Sequence, residues 1–222
     1  MLDFSLPQKI AIWALPVLFA ITVHEVAHGY VARRLGDRTA QMMGRLTLNP
    51  LKHIDPIGTV LVPLVMLLLP GSFLFGWAKP VPVDYRNLGN PKRDMAIVAA
   101  AGPLSNLVMA IGWALVLRGS VASLNTLPWA AQPLFFMAQA GIVINLILLV
   151  LNLIPIPPLD GGRVLTGILP HRLAARFAGL EPYGLMIVLA LLITGVLGRL
   201  QQPAIAMLNE LLLTLIGLGG SA

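Results

Sequence analysis

The sequence contains no cysteine. That absence excludes a disulfide framework and a thiolate metal site, so any metal would have to be held by His, Asp, Glu or Asn. Charge is scarce too: 11% of the 222 residues are charged, and the acidic ones number nine. No polar stretch is long enough to enclose a hydrophobic core of its own, which argues against a separate soluble domain. Internal repeats and low-complexity tracts are missing, and the glycine-rich end from Gly217 to Ala222 reads as a frayed tail.

What the chain has in excess is apolar sequence, 57% by composition. Apolar runs cover 8–35, 54–69, 95–117, 133–153, 182–197 and 203–218, with short polar segments between them. A bilayer core needs about 20 helical residues. The fold class expected is therefore an all-α polytopic membrane protein with five to six membrane helices. A re-entrant or membrane-dipping segment is expected near 54–84, because the second run is short, contains Pro63 and ends in Pro70-Gly71. The chain reads as one domain over 1–222, with a core at about 8–165 and C-terminal helices at about 182–218. The first run is expected to persist as a mature helix rather than be cleaved as a signal sequence, since its basic region is Lys9 alone and no cleavage site precedes His24.

The formal charge of +6 would suit nucleic acid in a soluble protein, but here the basic residues sit in loops flanking apolar runs. They report orientation, and the partner they imply is the lipid bilayer rather than nucleic acid. Arg33, Arg34, Arg38, Arg45 and Lys52 precede the short run, while Lys79, Arg86, Lys92 and Arg93 follow it. Both flanks look cytoplasmic, which favours a segment that dips and returns over one that spans. On that model Arg163, Arg172 and Arg176 also fall inside, leaving Lys9, Arg118 and Arg199 of the fifteen basic residues outside. The first helix then enters from outside and ends near Arg33, placing His24 about 13 Å from the cytoplasmic edge at 1.5 Å per residue.

Within that first apolar run lies His24-Glu25-Val26-Ala27-His28. Ionisable groups at membrane depth are costly and are kept mainly where they bind something or do chemistry. Residues four apart share a helix face, so the two imidazoles can converge on one ion, with Glu25 beside them near any water the ion holds. The arrangement suits a zinc-dependent peptidase. With four His and three Glu in the chain, random placement would give this pattern in roughly one sequence in a thousand. The plainer alternative is a pair of polar residues lining a helix interface.

A peptidase zinc ion usually takes three protein ligands and keeps a position for water. Asp160 is the best candidate for the third, as the carboxylate at the end of a later spanning helix, in Asn152-Leu-Ile-Pro-Ile-Pro-Pro-Leu-Asp160-Gly-Gly162. Pro155, Pro157 and Pro158 cannot continue a regular helix, and Gly161 and Gly162 let the main chain approach another element. The competing role for Asp160 is to cap a short helix over 162–169.

Together these residues resemble the site-2 protease family of intramembrane zinc metalloproteases, whose pairing of H-E-x-x-H with N-x-x-P-x-x-x-L-D-G is matched by His24 to His28 and Asn152 to Gly161. The resemblance extends to Gly44-Arg-Leu-Thr-Leu-Asn-Pro50, Asp55-Pro-Ile-Gly58, Gly76-Trp-Ala-Lys-Pro-Val-Pro82 and Ala101-Gly-Pro-Leu-Ser-Asn106. It looks like the compact bacterial branch without a PDZ domain. It implies one zinc ion per chain on His24, His28 and Asp160, Glu25 as general base, and Asn152 as the group that polarises the scissile carbonyl or steadies the oxyanion. It also implies transmembrane protein substrates, a place in the cell membrane and a site near its cytoplasmic face. An interhelical hydrogen bond is the alternative role for Asn152. The oligomeric state stays unspecified.

Other features carry blander expectations. His53 and His171 lie in basic loops and read as solvated, Asn145 as helix glue, and Gly102, Asn106, Ala110 and Ala114 as a packing stripe. Lys79-Pro-Val-Pro-Val-Asp84 alternates like an edge strand, and the resemblance implies a substrate-guiding loop there. A membrane zinc transporter and a non-cutting helix-binding pseudoprotease are the competing functions. The first is disfavoured because conduction usually needs several sites, and the second by the intact Glu25.

Overall fold

The computed structural model describes residues 5–61 and 76–219. Among the described residues every regular element is helical and no strand occurs. Helix α1 (Leu6–Arg34) starts from a Ser5–Gln8 capping box and ends with Arg33 and Arg34 in its last turn, where cations complement the helix dipole. A four-residue helix α2 (Thr39–Met42) follows. Helix α3 (Pro91–Ser123) has Asn90 as its N-cap, the side chain accepting from the Arg93 amide, and Pro91 at its first position. Helix α4 (Pro128–Leu153) stops where the prolines begin. Four shorter helices complete the chain: α5 (Asp160–Ile168), α6 (His171–Ala178), α7 (Glu181–Ile193) and α8 (Val196–Leu215).

Among the described residues three helices are long and apolar enough to cross a membrane, Pro7–Arg34, Pro91–Ser123 and Pro128–Leu153. A fourth span arises if α6 and α7, bent by 61° at their junction, count as one. The five to six spans expected from sequence are not confirmed among the described residues. The apolar run at 182–197 is cut at Gly195, which adopts φ +72 and starts a new helix. The 13 residues of α7 reach only about 20 Å, short of the roughly 30 Å hydrocarbon core. Helix α8 is long enough but carries Arg199, Gln201, Gln202, Asn209 and Glu210.

Helices α1, α3 and α4 pack against one another, and small residues set how closely. Ala110 and Ala114 of α3 and Ala138 of α4 are fully buried in a core that also takes Ile142, Leu146 and Leu149. Leu212 and Ile216, at the end of α8, close this core, so the C-terminal helices do pack around the central helices. Helix α7 rests on the proline segment, and a Cβ on Gly184 would fall within 1.7 Å of the Pro157 carbonyl oxygen.

The central part of the proposed dip, 62–75, lies outside the described residues. Its flanks meet: the Trp77 amide donates to the Gly58 carbonyl at 3.1 Å and the Lys79 amide to that of His53 at 2.9 Å. These bonds hold the described flanks, 53–58 and 77–79, side by side.

Candidate metal centre

Helix α1 presents His24, Glu25 and His28, and the proline segment after α4 delivers Asp160 at the first turn of α5. The tight approach depends on glycine, because a Cβ on Gly161 would sit 2.4 Å from the Leu153 carbonyl oxygen and one on Gly162 2.5 Å from the Pro157 nitrogen. Asp160 is not a helix cap. Its Oδ2 lies 3.2 Å from His24 Nε2 and 3.3 Å from His28 Nε2, and the two Nε2 atoms are 3.0 Å apart. The sequence-predicted trio thus comes together from positions up to 136 residues apart, counting from residue 24 to 160.

Whether this trio fits a metal follows from its protons. His24 Nδ1 faces the side-chain oxygen of Asn106 at 2.6 Å, and His28 Nδ1 faces the carbonyl of Val98 at 2.8 Å. Both partners accept, so each neutral ring carries its proton on Nδ1 and turns the bare lone pair of Nε2 inward. Asp160 Oδ2 is buried and receives no hydrogen bond. Three lone-pair donors facing one another without a proton between them repel unless a cation joins them. A tetrahedral site with bonds of about 2.0 Å has edges of roughly 3.3 Å, close to the spacings found here. All three side chains are buried. Zinc, which favours nitrogen and oxygen ligands in this number, fits the set.

Beneath the ligands lies Gly102 of α3, where a Cβ would stand 2.4 Å from His28 Nε2 and 2.6 Å from His24 Nε2. Of the stripe that reads in sequence as packing, Ala110 and Ala114 do pack in the core, but its other two members belong to the centre: Gly102 makes room for the imidazoles and Asn106 bonds one of them. Asn106 and Val98 were missed as partners of the histidines. The signal for Asn106 was available, since a carboxamide deep in an apolar helix is costly by the same rule that singles out His24. Asn145 does join α3 to α4, as expected of helix glue, through its bond to Asn106.

Glu25 lies beside the ligands, and its Oε2 accepts from the Val81 amide at 2.7 Å. The 79–84 segment forms no strand, because its main-chain groups are committed elsewhere. Arg45 Nη2 donates to the Lys79 carbonyl at 2.9 Å, and the Asp84 amide donates to Asp37 at 2.8 Å. His53 is corrected as well: it is buried rather than solvated, with Nε2 donating to the Thr47 carbonyl at 2.9 Å. His171 is exposed at the start of α6, as expected. Asn152 makes no interhelical bond; its amide donates to the Leu148 carbonyl of its own helix, 3.0 Å away.

These groups open on a cavity of about 420 Å³ that His24, Glu25, His28, Asn152 and Asp160 line together with Ile21, Leu148, Val81 and Val188. Tyr85 and Arg163 also line it. The guanidinium of Arg163 stands 5.9 Å from the Tyr85 ring centre and 3.6 Å from a Glu181 oxygen. Burial pushes the Tyr85 phenol upward from its ordinary value.

Known proteins give the same picture from another direction. The model of peptidase family M50 matches residues 119–195. YwhC of Bacillus subtilis is 40% identical over 179 residues, covering 80% of this chain and 78% of its own. Rip2 of Mycolicibacterium smegmatis is 32% identical over 182 residues, 82% of this chain and 66% of its own. Rip2 of Mycobacterium tuberculosis is 29% identical over 174 residues, 78% of this chain and 63% of its own. All three carry the words zinc metalloprotease in their names. No solved structure matches the chain significantly.

Proposed function

This chain belongs to peptidase family M50 and is a zinc metalloprotease, and from that premise we propose that it hydrolyses peptide bonds in or beside the transmembrane segments of other membrane proteins. The observation that carries the proposal is the convergence of His24, His28 and Asp160 at 3.0–3.3 Å on the wall of a cavity bounded by membrane-spanning helices. A soluble substrate would not require ligands on a helix of this apolarity.

In this reading His24 and His28, through Nε2, and Asp160, through Oδ2, hold one zinc ion. When bound, zinc supplies a Lewis acid that lowers the pKa of water toward neutrality and polarises the scissile carbonyl. Glu25 is the general base. The Val81 amide occupies Oε2, which leaves Oε1 to take the proton of the attacking water and to pass it to the leaving nitrogen. Asn152 steadies the developing negative charge from the cavity wall. The apolar walls around Ile21, Leu148 and Val188 receive the side chains of a locally unwound substrate helix, since a helical amide is shielded by its own hydrogen bonds. Water enters beside Tyr85 and Arg163, on the side to which the basic loops are assigned. The chain acts as one membrane domain with its site toward the cytoplasmic face of the cell membrane, and the described flanks at 54–61 and 76–84 lie on that same side.

The test is cleavage of a doubly tagged single-span membrane peptide by the full chain in phospholipid vesicles. Cleavage is expected to stop on zinc chelation, to return on zinc addition, and to be lost in Glu25→Gln, which should still bind zinc. A Glu25→Gln variant that cuts as fast as the wild type would reject the assignment. Metal flux without cleavage would point to transport instead.

A further inference from the structure

Asn106 on α3 and Asn145 on α4 are both fully buried, and their side chains form a single directed chain. Asn145 Nδ2 donates to the Gly141 carbonyl at 2.8 Å, Asn106 Nδ2 donates to Asn145 Oδ1 at 2.9 Å, and Asn106 Oδ1 meets His24 Nδ1 at 2.6 Å. The far end fixes the direction. A main-chain carbonyl can only accept, so Asn145 must turn its NH₂ toward Gly141 and its oxygen toward Asn106. Asn106 must then offer NH₂ to Asn145 and oxygen to His24. His24 can satisfy that oxygen only with its proton on Nδ1.

We infer that Asn106 and Asn145 are positioning residues for the metal ligand His24, transmitting the polarity of the Gly141 carbonyl through two carboxamides so that Nε2 is held bare and aimed at Asp160. The inference rests on the zinc reading above. Neither asparagine touches the ion or the substrate. Their effect is to lock one tautomer and one ring orientation before metal arrives, which removes a cost otherwise met on binding. His28 needs no such relay, because the Val98 carbonyl fixes its ring directly. The relay also ties the ligand on α1 to α4, whose continuation delivers Asp160, so the two halves of the centre share one register. A purely apolar interface at these positions would pack α3 against α4 equally well but leave the His24 ring free to flip. Both polar groups lie in an apolar interior where an unpaired carboxamide is costly, so each depends on the next being correctly turned.

The measurement is the zinc affinity of the detergent-solubilised full chain, by competition with a chelator at fixed pH, beside the melting temperature of the metal-free form. Asn106→Leu keeps similar volume but removes the acceptor, and zinc should bind about 10–100-fold more weakly. Asn145→Leu should weaken zinc binding less, and its effect should vanish in the Asn106→Leu background, because Asn145 acts through Asn106. A merely structural role would lower the metal-free melting temperature and leave affinity unchanged.

Wild-type affinity in Asn106→Leu, or equal Asn145→Leu effects in both backgrounds, would each overturn the inference. Should Asn106→Leu not fold, ¹⁵N shifts of His24 in the zinc-loaded wild type decide: a protonated Nδ1 with metal on Nε2 supports the relay, and a bare Nδ1 overturns it. A wild type that binds no zinc would instead defeat the zinc reading on which the inference stands.

Discussion

The main-chain amide of Val81 donates to the carboxylate of Glu25 across 2.7 Å, joining the loop after the proposed membrane dip to the residue assigned as general base. The carboxylate therefore has one oriented oxygen and one available one. The loop is held by Arg45, whose buried side chain donates from Nη2 to the carbonyls of Lys79 and Pro80. It is also held by close packing, since a Cβ on Gly29 would lie 2.8 Å from a Val81 methyl.

Replacing Arg45 with Gln should loosen this strap without touching the metal. The charged hydrogen bonds lost are worth about 1.5–3 kcal/mol locally. Hydrogen exchange at 79–83 should rise, turnover should fall, and zinc affinity should be unchanged. Unaltered exchange at Val81 would show that Arg45 does not fasten the loop.

A methyl group at Gly102 has nowhere to go, because it would lie 2.4 Å from His28 Nε2 and 2.6 Å from His24 Nε2. Gly102→Ala is expected to displace one imidazole and to weaken zinc binding by at least about tenfold, a loss typical of a disturbed ligand shell. Alanine also favours helix, by about 1 kcal/mol over glycine, so α3 itself should not suffer. Zinc content after dialysis against a chelator gives the answer; full retention would contradict the observed crowding.

Asp160→Asn separates the metal role of the carboxylate from any structural one. The carboxylate oxygen that faces the two Nε2 atoms has no hydrogen-bond donor, so no hydrogen bond to that oxygen is lost in the metal-free variant. Its metal-free melting temperature should match or exceed the wild type's. Added zinc at about 100 times the wild-type dissociation constant should raise the wild-type melting temperature, in line with about 2.7 kcal/mol, and leave the variant almost unmoved. Equal zinc-induced shifts in both proteins would remove Asp160 from the ligand set.

Asp37, just past the end of α1, gives a pH dependence outside the membrane helices. Burial alone would raise its pKa, yet the side chain of Thr39, the Asn87 amide and the main-chain N–H groups of Thr39 and Asp84 donate to it and hold it below the usual range. A carboxyl depressed in the folded state stabilises above its ordinary value of 3.8 and loses that contribution as pH falls through the folded value. In metal-free protein, Asp37→Asn should melt lower than wild type at pH 7, and the gap should narrow below about pH 4. A gap that stays constant from pH 7 to pH 3 would mean that the charge of Asp37 contributes nothing.

Much of the centre could be read from local pattern. The i, i+4 spacing of His24 and His28 guarantees a shared helix face, and charge is so expensive in apolar surroundings that these residues had to have a purpose. The proline-glycine segment before Asp160 signals a backbone that leaves helical form and comes close to another element, as the contacts of Gly161 and Gly162 bear out. The span count was harder. Apolar composition alone does not reveal that Gly195 turns the chain with positive φ and divides a short helix, α7, from the more polar α8 where two spans were expected. His53 was misread because its burial depends on Thr47 and on the returning backbone at Lys79, neither of which its own neighbours announce.

By itself, the amino-acid sequence determined the chemistry: an apolar helical chain, the histidine pair with its glutamate, and the aspartate able to join them, each a property of composition or of spacing within one element. Tertiary structure decided the rest. That Gly102 cradles the imidazoles, that Asn106 and Asn145 orient His24, and that Val81 reaches Glu25 are contacts between segments 39 to 82 residues apart. Such contacts arise from how helices approach and rotate against one another, and helical periodicity fixes the faces of each helix but not its partner.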